Sequence, residues 1–250
     1  MDNKKTSGPW MDTLQAGWML PDGDSLVLPD GGVIPCRAIE LEETNDVTAA
    51  PPYQPIWPEF PGLPDMLLSL RQNPSSVAPV ESASIGEIIT LGDRIEVSGS
   101  YDPATLGSAL HAVIATTIVG QQATSRILLD YGVHEVISIE AADACCSRLI
   151  EALQDNFSPT ALYTEYPLTY TTPSGQVMTG WIDLLVETEE GLIVIDHKAS
   201  PRGRSEWEEI ALSYSGQLDA YAEGLQTCSS KPVISKWIHF AVSGGLVNVI

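Results

Sequence analysis

The sequence predicts an α/β domain over residues 101–250, with elements in the order αα-βββ-α-ββ, behind an extended Pro/Trp-rich N-terminal arm over residues 1–100. Two observations predict this division. Most of the 18 prolines lie before residue 101, where their density disfavours helices and central strands. After residue 101, apolar residues recur with helical spacing in some segments and form strand-like runs in others.

The arm contains features that a flexible linker would not need. Aromatic residues are interleaved with prolines over residues 50–64, so we expect this stretch to pack on another surface. Leu26–Leu28 and Val33–Arg37 can form a hairpin around a Gly-containing turn, in which Pro35 restricts the second strand to an edge position. A helix is predicted near residues 63–71.

Two helices are predicted to open the domain. Asp102 is a favourable N-cap, and Pro103 a favourable first residue, for a helix that runs to about Val119. The apolar stripe of this helix contains Leu106, Leu110, Val113, Ile114 and Thr117. The second helix spans Ile139–Phe157 and ends at Ser158-Pro159.

Three strands, one long helix and two further strands complete the domain. The first three strands are predicted over Ala161–Thr171, Gln176–Glu187 and Leu192–Ala199. The helix spans roughly Glu206–Gln226, because apolar residues recur on one face with a spacing of three or four. The last two strands, Ile234–Val242 and Leu246–Ile250, surround Gly244-Gly245.

The strongest chemical signal lies at the end of a continuously apolar strand. Asp196, His197 and Lys198 directly follow Leu192–Ile195, a run typical of a strand that is covered on both faces. Charges in such a place persist only when they are paired or bound to a metal. Strand alternation places Asp196 and Lys198 on one face and His197 on the other.

The register of the hairpin decides whether a second carboxylate joins this group. If Glu189 and Glu190 form the turn, Asp183 lies opposite Asp196 with Cβ atoms about 4.5–5.5 Å apart, and a cation is needed between them. A register shifted by two residues would place Asp183 opposite Lys198 instead, and a shift of one would separate the carboxylates. Two carboxylates and a lysine suit hydrolysis assisted by Mg²⁺ or Mn²⁺. The competing interpretation is a surface hairpin with a salt bridge.

Four short motifs follow one another in this domain. They are Gly107-Ser-Ala-Leu-His111, Glu165-Tyr-Pro167, Gly180-Trp-Ile-Asp183 with Asp196-His-Lys198, and Tyr214-Ser-Gly-Gln217-Leu-Asp-Ala-Tyr221. In this order they resemble the RecB-like nuclease domain of the PD-(D/E)XK superfamily, which lies at the C-terminus of the AddA and RecB helicase-nucleases. The resemblance implies the PD-(D/E)XK nuclease core, a mixed central sheet flanked by helices, and the predicted order of elements agrees with it.

The resemblance also implies which residues act on substrate. Asp183 and Asp196, with His111 and the backbone carbonyl of His197, would bind Mg²⁺ or Mn²⁺. Lys198 would serve the attacking water. From the residues alone, a histidine beside an apolar helical stripe, as His111 is, is more often a core histidine.

The remaining candidates have weaker signals. Gln217 and Tyr221, one helical turn apart, would contact the substrate backbone and steady the site, although Tyr221 could be a simple core residue. Glu165 would lie near the metal or bind a second one, unless it is an ordinary strand carboxylate. Arg202 and Arg204 follow Lys198 and would either contact phosphate or lie in a solvated loop.

Composition limits the partners. The chain has 12 Lys and Arg against 33 Asp and Glu, a net charge of −21, so binding of DNA would depend on metal ions or a partner. No G-x-x-x-x-G-K-[ST] pattern occurs, so we expect this chain to bind no ATP. Apolar runs are too short for a membrane helix, no secretory signal is visible, and the 4 cysteines lack zinc-site spacing. We therefore expect a cytoplasmic protein without a membrane role.

Three functions remain open at this point. The first is a metal-dependent DNA nuclease, the exonuclease module of a helicase-nuclease in DNA end processing and repair, whose partner would be a helicase body or an AddB/RecC-like subunit. In that case, residues 1–100 would connect helicase to nuclease. The second is a catalytically weak or inactive nuclease-fold module that docks to a helicase through the arm. The third is an unrelated, metal-free α/β domain.

Overall fold

The structure, a computed structural model, describes residues 25–28, 31–35 and 69–250. The chain divides into two units, Met1–Gly62 and Leu63–Ile250, and each is described by itself.

The first unit contains the hairpin that the sequence predicts. Its strands β1 (Ser25–Val27) and β2 (Val33–Pro35) pair in an antiparallel fashion, with Pro35 opposite Ser25. Residues 36–37 of the predicted second strand lie outside the described residues. Most of the helix predicted near residues 63–71 also lies outside the described residues. Arg71, its last residue, begins a strand instead.

The second unit is built on a mixed sheet of seven strands. They are β3 (Arg71–Gln72), β4 (Ile85–Thr90), β5 (Ala161–Thr171), β6 (Val177–Glu187), β7 (Leu192–Lys198), β8 (Val233–Phe240) and β9 (Gly245–Val249). The order is β3-β6-β7-β8-β9-β4, and β5 pairs with β6 beside this path. The β3–β6 and β7–β8 pairs are parallel and the others antiparallel. Strands β5 to β9 lie within two residues of their predicted bounds, whereas β3 and β4 come from the segment assigned to the arm.

Five α-helices within residues 69–250 flank the sheet. They are α1 (Pro103–Ile118), α2 (Thr124–Asp130), α3 (Ile139–Phe157), α4 (Trp207–Ser213) and α5 (Ser215–Cys228). Asp102 caps α1 as predicted, because its Oδ2 accepts a hydrogen bond from the backbone N–H of Thr105 at 2.9 Å.

Two features correct the predicted order of elements. A short helix, α2, stands between the two predicted opening helices, and the predicted long helix is divided at Tyr214 into α4 and α5. The order after residue 101 is therefore ααα-βββ-αα-ββ. The apolar spacing continues through Tyr214, so periodicity alone cannot reveal the division.

The sheet separates two apolar cores. Helices α1, α2 and α3 pack on one core and α4 and α5 on the other. Along β7, Ile193 and Ile195 belong to the first core, whereas Leu192 and Val194 belong to the second. Because β7 is covered on both faces, residues 192–197 are all buried, and polar groups at its end meet little solvent.

The segment before β4 holds the start of α5. The backbone N–H of Val80 donates to Ser215 Oγ at 2.8 Å, and a Cβ at Gly216 would collide with the carbonyl oxygen of Ala78. This close approach fixes the first turn of α5, on which a predicted site residue lies. Among the described helices, none is long and apolar enough to cross a membrane.

Candidate active site

The β6–β7 hairpin has the register that a turn at Glu189-Glu190 predicts. Leu184 lies opposite Ile195, and the pairing continues unchanged to the turn. Extending this register by one pair places Asp183 opposite Asp196. The two carboxylates therefore meet at the end of the hairpin, as the first of the predicted registers requires.

His197 links this hairpin to α1 through its backbone. Its N–H donates to Asp183 Oδ2 at 2.7 Å, and its carbonyl oxygen is 2.9 Å from His111 Nε2. His111 Nδ1 in turn lies 3.5 Å from Asp183 Oδ1. The His197 ring points elsewhere, with its Nδ1 3.1 Å from Nδ1 of His239 on β8. The structure thus brings together the carbonyl, the imidazole and the first carboxylate of the predicted metal site.

His111 and Asp183 favour each other's charged forms. Burial opposes protonation of His111, but the hydrogen bond and negative charge of Asp183 outweigh it and raise the pKa of this imidazole. Burial alone would raise the pKa of Asp183, yet the hydrogen bond and charge of His111 lower it. In the metal-free chain, each of these two side chains therefore shifts the pKa of the other toward the charged form. A divalent cation would replace the imidazole proton on binding.

Glu165 completes a group of three possible ligands. One ligand atom from each of His111, Glu165 and Asp183 lies within 4.8 Å of the others. Glu165 faces Asp183 across the β5–β6 pair, and its φ of +50° is a left-handed conformation that is unusual for a residue with a side chain. Partial burial and the charge of Asp183 raise its pKa. The geometry favours the interpretation of Glu165 as a metal-site carboxylate.

These donors suit a hard divalent cation. Carboxylate and carbonyl oxygens are the ligands that Mg²⁺ and Mn²⁺ prefer, and an imidazole adds affinity for transition metals. His111 Nε2 and the His197 oxygen, which share a hydrogen bond of 2.9 Å in the metal-free chain, are close enough to bind one cation together. The residues therefore fit the cation that the sequence predicts.

Asp196, the second predicted carboxylate, is only 1% exposed and turns toward α5. Its Oδ1 accepts a hydrogen bond from Gln217 Nε2 at 2.6 Å. Its Oδ2 lies 2.6 Å from Lys198 Nζ, an ion pair that lacks the angles of a hydrogen bond. Burial and the charge of Asp183 raise the pKa of Asp196 to about 6 in spite of Lys198. This carboxylate is costly to ionise without a further cation.

Lys198 lies between a carboxylate and an aromatic ring. Its Nζ is 4.1 Å from the ring centroid of Tyr214, which stands at the junction of α4 and α5. Burial opposes the charge, but the carboxylate of Asp196 outweighs it and raises the pKa of Lys198. The ammonium therefore stays charged and can hold a water or a phosphate oxygen. Sequence reasoning missed the contact with Tyr214, although this residue begins the fourth motif.

Gln217 and Tyr221 connect Asp196 to β6. Gln217 Nε2 also lies 3.3 Å from the Tyr221 hydroxyl, which donates to the Trp181 carbonyl at 2.6 Å. Gln217 is 8% exposed and Tyr221 5%. Because their polar groups are directed inward, the geometry favours a role in steadying the site. The predicted contact with substrate stays a prediction.

A cleft of about 780 Å³ opens beside Lys198, between α1, the loop after β7 and α4. Arg202 lines this cleft and pairs with Glu206 at 2.5 Å. Arg204 instead donates to Thr90 Oγ1 at 3.0 Å, on β4, and is not among the lining residues. Of the two predicted arginines, only Arg202 is placed where it could meet a phosphate beside the site.

The hairpin carboxylates, the lysine and the mixed sheet together have the arrangement of a nuclease core. The sequence profile of the PD-(D/E)XK nuclease superfamily matches residues 88–241. The chain belongs to this superfamily, which confirms the family and the fold class that the motifs predict.

Similarity to curated proteins covers the same region. The chain is similar to an ATP-dependent helicase/nuclease subunit of Carboxydothermus hydrogenoformans, with 27% identity over 207 residues, which is 72% of this chain and 18% of that protein. It is also similar to the protein of the same name from Lacticaseibacillus casei, with 24% identity over 179 residues, 62% of this chain and 14% of that protein. The chain spans less than a fifth of the length of these relatives.

Proposed function

We propose that the chain is a metal-dependent DNA nuclease that hydrolyses phosphodiester bonds with Mg²⁺ or Mn²⁺. One observation carries this proposal. The ligand atoms of His111, Glu165 and Asp183 converge beside the Asp196–Lys198 ion pair, where an extra cation would relieve the repulsion between carboxylates. A surface hairpin with a stray salt bridge would not bury Asp196 to this extent.

Each residue has a role in this proposal. His111, Asp183, Asp196 and the carbonyl of His197 would hold the cation, with Glu165 next to them. A divalent cation in such a site stabilises charge on the phosphate and acidifies a bound water. The Lys198 ammonium would orient that water and offset negative charge on the phosphate oxygens.

The hydrogen bonds around these residues would keep the carboxylates in place. The backbone N–H of His197 restrains Asp183, and the amide of Gln217 restrains Asp196. Tyr221 extends this restraint to the backbone of β6. Arg202 would contact a phosphate in the cleft beside Lys198. Such preorganisation limits the rearrangement that the reaction requires.

We further propose that the nuclease is the exonuclease module of a helicase-nuclease in DNA end processing and repair. The names of the curated relatives support this assembly. A helicase body or an AddB/RecC-like subunit would supply the affinity for DNA that a net charge of −21 does not favour. The part of the predicted arm that precedes β3 would connect or dock the nuclease to that partner, because β3 and β4 belong to the nuclease sheet itself.

The same charge favours a second candidate, a catalytically weak nuclease-fold module that docks to a helicase. A polyanionic substrate is repelled by a net charge of −21, and Lys198 is already engaged by Asp196. The two candidates differ in whether the isolated chain cleaves DNA.

Digestion of end-labelled linear DNA tests the proposal. Single-stranded and duplex DNA are incubated with wild type, Asp196→Asn or Lys198→Met in EDTA, Mg²⁺ or Mn²⁺. Asp130→Asn is the matched control, because Asp130 is exposed and paired with Arg126 on α2. We expect cleavage that requires a metal, is lost in the first two variants and persists in the control. Failure of folded wild type to cleave in either metal would favour the docking module.

A further inference from the structure

The accessible face of the β5–β6 hairpin continues outward from the metal-site carboxylates. Met178 and Ile182 on β6 belong to the core beneath α5, so strand alternation directs Thr179 and Trp181 to the opposite side of the sheet. Asp183 turns to that same side, because it meets His111 of α1, a helix that packs on the other core. Pro167 and Thr169 on β5 pair directly with Trp181 and Thr179. Because directly paired residues share a face, these four residues form one surface, here called the outer strip.

The outer strip has no charged side chain, in a chain with a net charge of −21. Thr169 and Thr179 place their hydroxyl oxygens 3.5 Å apart on it. Neutral hydroxyls can donate hydrogen bonds to phosphate oxygens, whereas carboxylates would repel them. The outer strip can therefore accept a polyanion at a place that adjoins the candidate active site.

Trp181 is the prominent side chain of the outer strip. It is 57% exposed, whereas Trp207 and Trp237 are buried. In the part of the chain that the structure describes, no other ring stacks on its indole and its Nε1–H has no acceptor. An exposed indole without a partner costs free energy in water and is suited to pack against a planar ligand.

The backbone beneath this indole is held firmly. The Tyr221 hydroxyl donates to the Trp181 carbonyl at 2.6 Å, and Gly180 lies so close to Pro74 that a Cβ there would be 2.8 Å from the proline ring. Because the strand cannot shift easily, a ligand that stacks on Trp181 would gain a fixed position relative to Asp183. The two residues are two positions apart on one strand, about 7 Å between Cα atoms.

We propose that Trp181 stacks on an unpaired base, so that the outer strip binds single-stranded nucleic acid and leads it to the carboxylates. This inference rests on the proposed nuclease function and names its substrate class. Stacking on an aromatic side chain requires a base with a free face, which a duplex interior does not offer. It also contributes affinity without positive charge, which suits this acidic chain.

Binding measurements on full-length Asp196→Asn protein test the inference without cleavage. A fluorescein-labelled oligothymidylate of about 15 nucleotides, within the range that such surfaces cover, is titrated by anisotropy in Mn²⁺, beside a duplex of equal length. We expect Trp181→Ala to raise the single-strand Kd about five- to a hundredfold and Trp181→Phe to restore most of the affinity. The duplex Kd should change less than about twofold.

Tyr131→Ala is the matched control, because Tyr131 is an aromatic residue, 40% exposed, at the end of α2. It should leave both Kd values unchanged. Quenching of intrinsic fluorescence by the oligonucleotide, lost in Trp181→Phe, would support direct stacking. Absent single-strand binding, an unchanged Kd in Trp181→Ala, or equal losses for single strand and duplex would overturn the inference.

The outcomes separate this inference from the proposed function. Trp181-dependent binding by a wild-type chain that cleaves nothing would contradict the nuclease and leave the single-strand surface standing. Metal-dependent cleavage combined with an unchanged single-strand Kd in Trp181→Ala would support the nuclease and contradict binding by the outer strip. In the latter case, a protein partner would be the better explanation of the exposed indole.

Discussion

The Nδ1 atoms of His197 and His239 lie 3.1 Å apart, and both residues are almost fully buried. One Nδ1 must donate a proton to the other, so the accepting ring is neutral. Burial agrees with this, because it lowers the pKa of His197 to about 3 and that of His239 well below its ordinary value. The pair anchors the residue whose backbone contacts both Asp183 and His111.

We expect His239→Leu to weaken both folding and metal binding. A buried Nδ1 of His197 would lose its partner, at a cost of about 1–3 kcal/mol. The free energy of unfolding in EDTA, from urea titration, measures the first effect. Metal binding is measured by the Mn²⁺ midpoint, the Mn²⁺ concentration that produces half of the maximal rise in melting temperature.

His239→Asn should recover part of the stability and part of the Mn²⁺ binding, because the asparagine amide nitrogen can approach the position of Nδ1. His134→Ala, at an exposed histidine, is the control. A loss of stability in His239→Leu with no change in the Mn²⁺ midpoint would contradict the link from His239 to the metal site.

The pKa of Asp196 predicts a dependence of stability on pH. Its folded value of about 6 is above the ordinary 3.8, so between these values the folded chain keeps a proton that the unfolded chain has lost. Stability therefore falls as pH rises through this window, and the cost is complete above about pH 6. Asp196→Asn cannot ionise and escapes this cost.

In EDTA we therefore expect Asp196→Asn to be more stable than wild type at pH 8. Its advantage should shrink by about 1 kcal/mol at pH 5. Urea unfolding at the two pH values measures the difference, and Asp130→Asn provides the exposed comparison. An advantage that is the same at both pH values would show that Asp196 is not costly to ionise.

Lys198→Met should separate catalysis from metal binding. Cleavage should fall at least about a hundredfold, because the charge beside the attacking water is gone. The Mn²⁺ concentration at the midpoint of the rise in melting temperature should not increase, because Lys198 competes with the metal for Asp196 in the wild-type chain. Lys236→Met, which removes a lysine paired with Asp219, is the control. Cleavage at the wild-type rate would remove Lys198 from the mechanism.

Glu165 is expected to lower stability through its backbone and to serve the metal through its side chain. Glycine adopts a φ of +50° without strain, so Glu165→Gly should be at least as stable as Glu165→Gln in EDTA. Both variants should need more Mn²⁺ for a given rise in melting temperature. A Glu165→Gly variant that is less stable than Glu165→Gln would contradict the strain at this residue. Normal Mn²⁺ binding by both variants would remove the Glu165 side chain from the metal site.

Local patterns were sufficient to predict much of the fold and part of the site. The helix cap at Asp102 and the hairpin turn at Glu189-Glu190 depend on residues close in sequence. Because a strand repeats every two residues, the turn position alone sets Asp183 opposite Asp196. The family motifs then added Gln217 and also His111, which no local pattern distinguishes from a core residue.

Other features depend on contacts between distant parts of the chain. The parallel pairing of β7 with β8 brings His239 to His197, 42 residues away, and the packing of α1 brings His111 to the same residue, 86 residues away. Distant contacts also divide the predicted long helix at Tyr214, whose ring lies against Lys198. They likewise incorporate β3 and β4 into the sheet. Periodicity reports only which face of an element is buried. The partner that buries it is selected by burial and hydrogen bonding across the whole unit, and for this reason the site could be assembled only from the folded chain.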